Sequence, residues 1–255
     1  MAKTFYHDSV DIFNSTLNDG TVTYSGTEGF NDGTTLTNEE RAVDQSVSTT
    51  ITAWAENDAL QFNLGSAKAV DFIAVYFNAA EADDIRLSYD NASSGQTAAD
   101  IDSFSSCSVG WNVDEFSSQS YQYWIVSALT AGGLVGITEI ILGAKLAFTV
   151  NPDIGIGEQE IYGTDIRRSI GGVEYGTKSH EPISTISMNF SFISSTFKTS
   201  LQSFEAEVQD FKKFVYSEDG TTGPFHYVRL DGPIKFTEIA HTVFSASLTL
   251  REQLS

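Results

Sequence analysis

The chain has 255 residues, with 34 Asp and Glu against 14 Lys and Arg, a formal net charge of −20, a single Cys and 41% hydrophobic residues. Such a length supports one large β domain or two medium ones, each with its own core, and the hydrophobic content excludes disorder. The acidic surplus lacks the clustered Lys and Arg that displace counterions from phosphate backbones, so nucleic acid is not an expected partner. It also repels anionic membrane surfaces, and no membrane insertion is expected. Cys107 has no partner for an intrachain disulfide and reads as a small, half-buried residue. The first residues, Met1-Ala-Lys-Thr-Phe-Tyr-His-Asp8, lack the apolar stretch of a secretory signal.

Over the first 150 positions, segments rich in Ser, Thr, Gly, Asn and Asp separate short runs of β-branched and aromatic residues. That is the pattern of an antiparallel β domain. Strands are expected at 21–25, 48–53, 59–64, 70–77, 85–89, 121–127 and 136–142. The run Phe72-Ile-Ala-Val-Tyr-Phe77 is apolar throughout and predicts a central strand covered on both faces. At Asn151-Pro-Asp153 the composition changes, which places a domain boundary there and divides the chain into 1–150 and 151–255. Charge divides unevenly across it: residues 1–150 hold 20 acids and 5 bases, residues 151–255 hold 14 and 9.

In the second half, Phe197, Leu201, Phe204, Val208, Phe211 and Val215 recur at spacings of three and four, which predicts one long amphipathic helix. Alternating apolar residues around Ile186–Phe192 and Phe244–Leu250 predict half-buried strands, and Phe225–Leu230 is bounded by two Gly-Pro turns. The expectation is a β-sandwich, of jelly-roll type, followed by an α+β module with its helix packed on antiparallel strands.

Catalytic templates are absent: there is no G-x-S-x-G elbow, phosphate loop, H-E-x-x-H or C-x-x-C, and the four His residues are scattered. The chain is therefore not expected to be an enzyme. No cofactor is expected apart from calcium, for which Asp19, Asp32, Asp83 and Asp84 lie in acidic turns offering hard oxygen ligands, without EF-hand spacing. Trp111 and Tyr121 are candidates for stacking on sugar faces.

Two resemblances rest on these residues. Trp54, Leu60-Gln-Phe-Asn-Leu-Gly65, Val70-Asp-Phe-Ile-Ala-Val75, Ile85-Arg-Leu-Ser-Tyr-Asp90, Tyr123-Trp-Ile-Val126 and Ile137-Thr-Glu-Ile-Ile-Leu-Gly143 resemble, in order and spacing, the discoidin (coagulation factor 5/8 type C) galactose-binding-like sandwich. That family's terminal disulfide and many of its arginines are missing here. Arg167-Arg168, Gly171-Gly172, Met188-Asn-Phe-Ser-Phe192, Leu201-Gln-Ser-Phe204, Phe225-His-Tyr-Val-Arg-Leu230 and Phe244-Ser-Ala-Ser-Leu-Thr-Leu-Arg-Glu252 are similar to a module of tailed-bacteriophage minor tail and distal tail (baseplate) proteins. Distal tail proteins usually place the ring-forming domain first, and this chain reverses the order.

The second resemblance implies a structural virion protein, made in the host cytoplasm and located in the phage tail. It implies a homo-oligomeric ring, hexamer or trimer, in contact with other tail or baseplate proteins. Phe244, Leu248, Leu250 and Arg229 are the expected assembly residues, with the strand Phe244–Leu250 offering a free edge to the next subunit. The sandwich then serves as a spacer, a fibre dock or a contact for a host surface glycan. The alternative is a free carbohydrate-binding module or adhesin.

Overall fold

The computed structural model describes residues 3–12, 16–18, 43–48, 59–78, 85–91, 99–104, 107–128, 136–153 and 156–253. The expected strand at 21–25, most of that at 48–53, and Trp54 lie outside the described residues. The fold is mainly β, with antiparallel sheets and one α-helix, as the sequence pattern implies.

The N-terminal sheet contains β2 (Thr16–Asn18), β3 (Ala59–Phe77), β6 (Gly110–Ala128), β4 (Ile85–Asp90) and β5 (Ala99–Phe104) in that spatial order, with β7 (Ile137–Gly143) also paired to β3. The runs expected at 59–64 and 70–77 are one continuous strand. Gly65, at φ +73°, and register shifts between Asn63 and Lys68 and between Val70 and Phe72 bend it without ending it. The second shift also reverses which alternate residues face the sandwich core. Leu60, Phe62, Leu64 and Val70 meet Ile73, Val75 and Phe77 there, around a fully buried Trp124. Phe72 and Ala74 point into a different core, so the apolar run is covered on both faces, as expected of a central strand.

The second sheet runs β8 (Leu146–Ala147), β1 (Thr4–Tyr6), β11 (Phe214–Ser217), β12 (Phe225–Leu230), β14 (Val243–Glu252), β10 (Glu174–Ser194) and β9 (Gly157–Arg168), with β13 (Lys235–Ala240) paired to β14. The boundary at 150 does not follow this sheet. β1, from the extreme N-terminal part of the chain, lies inside it between β8 and β11, and Phe5 packs on Phe148, Phe204, Phe214 and Tyr216 with no exposed surface. The sandwich is thus inserted between β1 and β8. Its entry and exit run side by side: a Cβ on Gly143 would sit 2.4 Å from the His7 carbonyl, and the Ala144 N–H donates to Ser9 Oγ at 2.6 Å.

The helix α1 (Ser195–Val208) is shorter than its apolar stripe predicts. Ser194 caps it, accepting from the Phe197 N–H at 3.2 Å, and Phe197, Leu201, Phe204 and Val208 are buried against the second sheet. Burying each contributes about 2 kcal/mol. Gln209 takes a left-handed φ of 52° and ends the helix, which leaves Phe211 exposed and delivers Val215 to β11 beside β1. The 3–4 spacing continues past the cap by coincidence.

Candidate functional site

Three regions can be tested against the expected sites: the junction between the sheets, an aromatic platform on the sandwich, and a ribbon that leaves the second sheet. The calcium candidates Asp19, Asp32, Asp83 and Asp84 lie outside the described residues. Among the described residues, no group of three or more His, Cys, Asp or Glu is placed to hold a metal ion. Cys107 is buried rather than half-buried.

Trp111 is at the junction and not on a surface. It is 8% exposed, lies edge-on to Tyr76 at 5.4 Å and tilts against Tyr227 of β12 at 5.1 Å between centroids. With Tyr6, Phe72, Ala74, Val113, Ile141 and Val215 it forms the core that joins the two sheets. A sugar could not reach its face.

Polar groups complete that junction. The Tyr6 hydroxyl donates to Glu115 at 2.6 Å, Lys145 pairs with the same carboxylate, and the Lys145 N–H donates to Asp71 at 2.8 Å. His7 meets Glu207 of α1 at 2.8 Å and Lys212 meets Asp11 at 2.8 Å. Lys213 donates from its backbone N–H and its Nζ to Gln45, whose φ is 58°. Glu139 on β7 is 3% exposed and accepts from the Ser46 N–H at 3.2 Å. Burial, and then the neighbouring Asp44, push its carboxyl well above the usual range, while Lys213 opposes the shift. The carboxylates Glu139 and Asp90 sit in different strands, opposite Tyr76 and Tyr123 respectively.

Tyr121 is half-buried and belongs to a surface platform. Its ring stacks on Tyr89 at 3.8 Å with an interplanar angle of 30°. Desolvation and a hydrogen bond with Tyr121 raise the Tyr89 phenol above its ordinary value. Beside the pair, Gln122 Nε2 donates to Asn63 Oδ1 at 3.0 Å and to the Tyr123 hydroxyl at 3.2 Å, while Asn91 Oδ1 accepts from the Gln122 N–H at 3.4 Å. Aromatic rings flanked by amides and hydroxyls supply the apolar face and the directional groups that hydroxyl-rich ligands require. The stacking partner Tyr89 and the amide Asn63 were not legible from sequence, because only strand pairing brings them beside Tyr121 and Gln122.

The expected assembly residues are placed differently from the expectation. β14 has no free edge: it pairs with β10, β12 and β13. Leu248 and Leu250 are core residues at 4% and 0% exposure, Phe244 is half-buried beneath Lys198, and Arg229 is engaged by the Asp210 and Leu230 carbonyls and by Asp231. Edge status depends on which distant strands pair, and alternation along one strand does not record it.

The outer strand is β9, which forms a long ribbon with the first half of β10. Its tip turns at Ser169–Gly172, where the Ser169 N–H donates to the Val173 carbonyl and Gly172 has φ +82°. Tyr162, Ile166, Ile170, Val173 and Tyr175 are all more than half exposed, and Ile161 is 39% exposed. Ile166 pairs with Gly176 and Tyr175 with Arg167, so apolar side chains stand on both faces. The charges near the tip pair with one another, Arg167 with Asp165 and Arg168 with Glu174, each at 2.8 Å.

No family model and no curated protein matches the chain. Solved structures similar to it include carbohydrate-binding modules and some glycoside hydrolases, at low identity. Chitosan-binding module 1 from a chitosanase/glucanase of Paenibacillus sp. IK-5 is 21% identical, covering 51% of this chain and 96% of that one at a TM-score of 0.38. Module 2 of the same enzyme, in complex with chitotriose, is 19% identical, covering 41% and 85% at 0.35. CBM32-1 from a family 31 glycoside hydrolase of Clostridium perfringens is 13% identical, covering 41% and 82% at 0.35. At TM-scores this low the likeness carries no argument about ligand, and these matches do not bear on the phage-tail resemblance. In the described residues, no helix is long and apolar enough to cross a membrane.

Proposed function

We propose that the chain is a non-enzymatic structural subunit of a tailed-phage virion, assembling with copies of itself into a ring, hexamer or trimer, at the tail tip or baseplate. The β9–β10 ribbon is the observation that supports it. An isolated two-stranded ribbon is marginal in water, and this one buries almost nothing of its own while exposing six large apolar side chains. A partner surface that covers them accounts for both facts. The assembly surface is thereby moved from β14 to the ribbon, within the same half of the chain. Light scattering on the purified chain tests the reading: a mass rising to a closed multiple of the 27.8 kDa chain is expected, and a strict monomer at all concentrations would contradict it.

A second reading, that the inserted sandwich contacts a host surface glycan, is favoured by the Tyr89–Tyr121 platform. It also holds for a free carbohydrate-binding module or adhesin. Glycan-array binding by the full chain is the check, and Tyr121→Ala is expected to weaken any hit by roughly tenfold or more. Binding that Tyr121→Ala leaves unchanged would remove the platform from the account.

A further inference from the structure

The ribbon exposes backbone as well as side chains. Among the described strands β9 pairs with β10 alone, so along its twelve residues every second one turns an unpaired N–H and C=O outward. Such edges are ordinarily kept short, bent by a bulge or interrupted by Lys or Pro. The other edge strands of the second sheet, β8 and β13, have two and six residues. β9 contains no Lys and no Pro, and the extra residues at both register shifts are on β10: Lys178 to His180 opposes Thr164 to Gly163, and His180 to Ile183 opposes Gly163 to Ile161. β9 is therefore a long, regular and open edge.

The order of charge along β9 selects what pairs with that edge. Glu158 and Glu160 lead the strand, and Arg167 and Arg168 close it. A second β9 laid parallel sets acids beside acids; laid antiparallel, it sets acids beside arginines. Two identical antiparallel strands are related by a two-fold axis through one residue position, and paired residues then face the same side. One side of β9 carries Glu160, Tyr162, Thr164, Ile166 and Arg168, as shown by the Tyr162 hydroxyl reaching Glu160 at 2.7 Å and by Arg168 reaching Glu174, directly opposite it on β10, at 2.8 Å.

With the axis at Thr164 every pair on that side is of a stabilising type: Thr164 with Thr164, Tyr162 with Ile166, and Glu160 with Arg168, the last two occurring twice. An axis at Gly163 keeps an ion pair between Glu158 and Arg168 but sets Glu160 against Ile166, and an axis at Asp165 sets that acid against itself. On the other side of the strand Ile161 meets Arg167 and Gly163 meets Asp165, with no like charges opposed. Arg168 already donates to Glu174 through Nη2, one of its five N–H donors, and both side chains are more than half exposed. The row across four strands then reads Glu174, Arg168, and Glu160 and Ser184 of the second copy, with unlike charges adjacent. Two marginal ribbons become one four-stranded sheet.

We infer that the open edge of β9 pairs antiparallel with β9 of a second copy of this chain, about a two-fold axis at Thr164, with Glu160 of each copy on Arg168 of the other. This rests on the self-assembly reading and adds to it the identity of the receiving surface. A two-fold contact closes on two copies, so of the two ring orders it selects the hexamer, built of three such pairs, over the trimer.

Charge reversal in the full chain tests it. Glu160→Arg opposes like charges at both ends of the contact, and so does Arg168→Glu, so each variant alone is expected to self-associate roughly tenfold or more weakly by light scattering. An equimolar mixture is expected to recover association, since the two reversed residues then face each other and the two native ones do likewise. Both positions are exposed, and thermal midpoints are expected to stay within a few degrees of wild type. The axis has its own readout. Thr164→Cys is expected to form a covalent dimer on oxidation, because paired residues lie about 5 Å apart at Cα, whereas Tyr162→Cys, roughly 13 Å from its own copy, is expected to form none. The native Cys107 is buried and gives no background. A reversal that leaves association unchanged, a mixture no better than either variant, or cross-linking no faster at 164 than at 162 overturns the pairing and leaves the assembly reading standing. A monomeric wild-type chain overturns both.

Discussion

The two halves of β10 belong to one strand and meet opposite fates. From Ile186 to Ile193 the strand lies beside β14 beneath α1, with β9 on its other side only as far as Ser187, and Ile186, Met188 and Phe190 are at most 2% exposed. From Glu174 to Ile183 it has only β9 beside it, and Tyr175 remains 61% exposed. The second half alternates Ile186, Met188 and Phe190 beneath a helix positioned by Ser194 and Gln209, whereas Glu174–Ile183 has neither that alternation nor a cover. Apolar surface that a chain builds and does not cover is the physical basis for reading the ribbon as an interface.

The largest effect expected along this comparison comes from the covered region. Phe5→Ala removes a ring that contacts four other aromatics in the core shared by β1, α1 and β11, at a cost of about 3–5 kcal/mol in urea unfolding. A cost below about 1 kcal/mol would mean that β1 is not an integral strand of the second sheet. For the same reason residues 151–255 alone, which lack β1 and β8, are expected not to fold.

In the uncovered region the reverse should hold. Ile166→Ser and Tyr175→Ser should change the stability of the monomer by no more than about 0.5 kcal/mol while removing self-association. Destabilisation as large as that of Phe5→Ala would show that the ribbon is held by the chain's own contacts.

A smaller, pH-dependent effect is expected at the junction. Glu139 has its folded-state pKa raised well above 4.5, so between its ordinary and raised values the folded chain binds more protons than the unfolded one. Its contribution to stability is therefore complete below the ordinary carboxylate pKa and is lost as pH rises through the raised value. Glu139→Gln should be more stable than wild type near pH 8, with the gap closing toward pH 4.5. Equal thermal midpoints across that range would show that Glu139 is not held against its ionisation.

Much of the sandwich was legible in the sequence, because its strands bury alternate residues and the run from Phe72 to Phe77 is apolar on both faces. The face of α1 was legible for the same reason, though not its end, since Phe211 and Val215 continue the spacing into a loop and a strand. The place of β1 was hidden because three residues, Thr4–Tyr6, carry no periodicity and find their partners more than 200 positions away in β11. The burial of Trp111 was hidden because Tyr227, which covers it, comes from the other half of the chain. The ribbon was hidden because its apolar residues bury no face within the chain, so β9 shows no alternation to detect.

The mass of the full chain in solution, followed by light scattering from low to high concentration with the ribbon variant beside it, tests the central claim most directly. A wild-type mass that climbs to a closed multiple of 27.8 kDa, against a ribbon variant fixed at the monomer, is the expected result. Repulsion between acidic copies should make the climb steeper with added salt. A wild-type chain that stays monomeric, or a ribbon variant that assembles as the wild type does, would contradict the account.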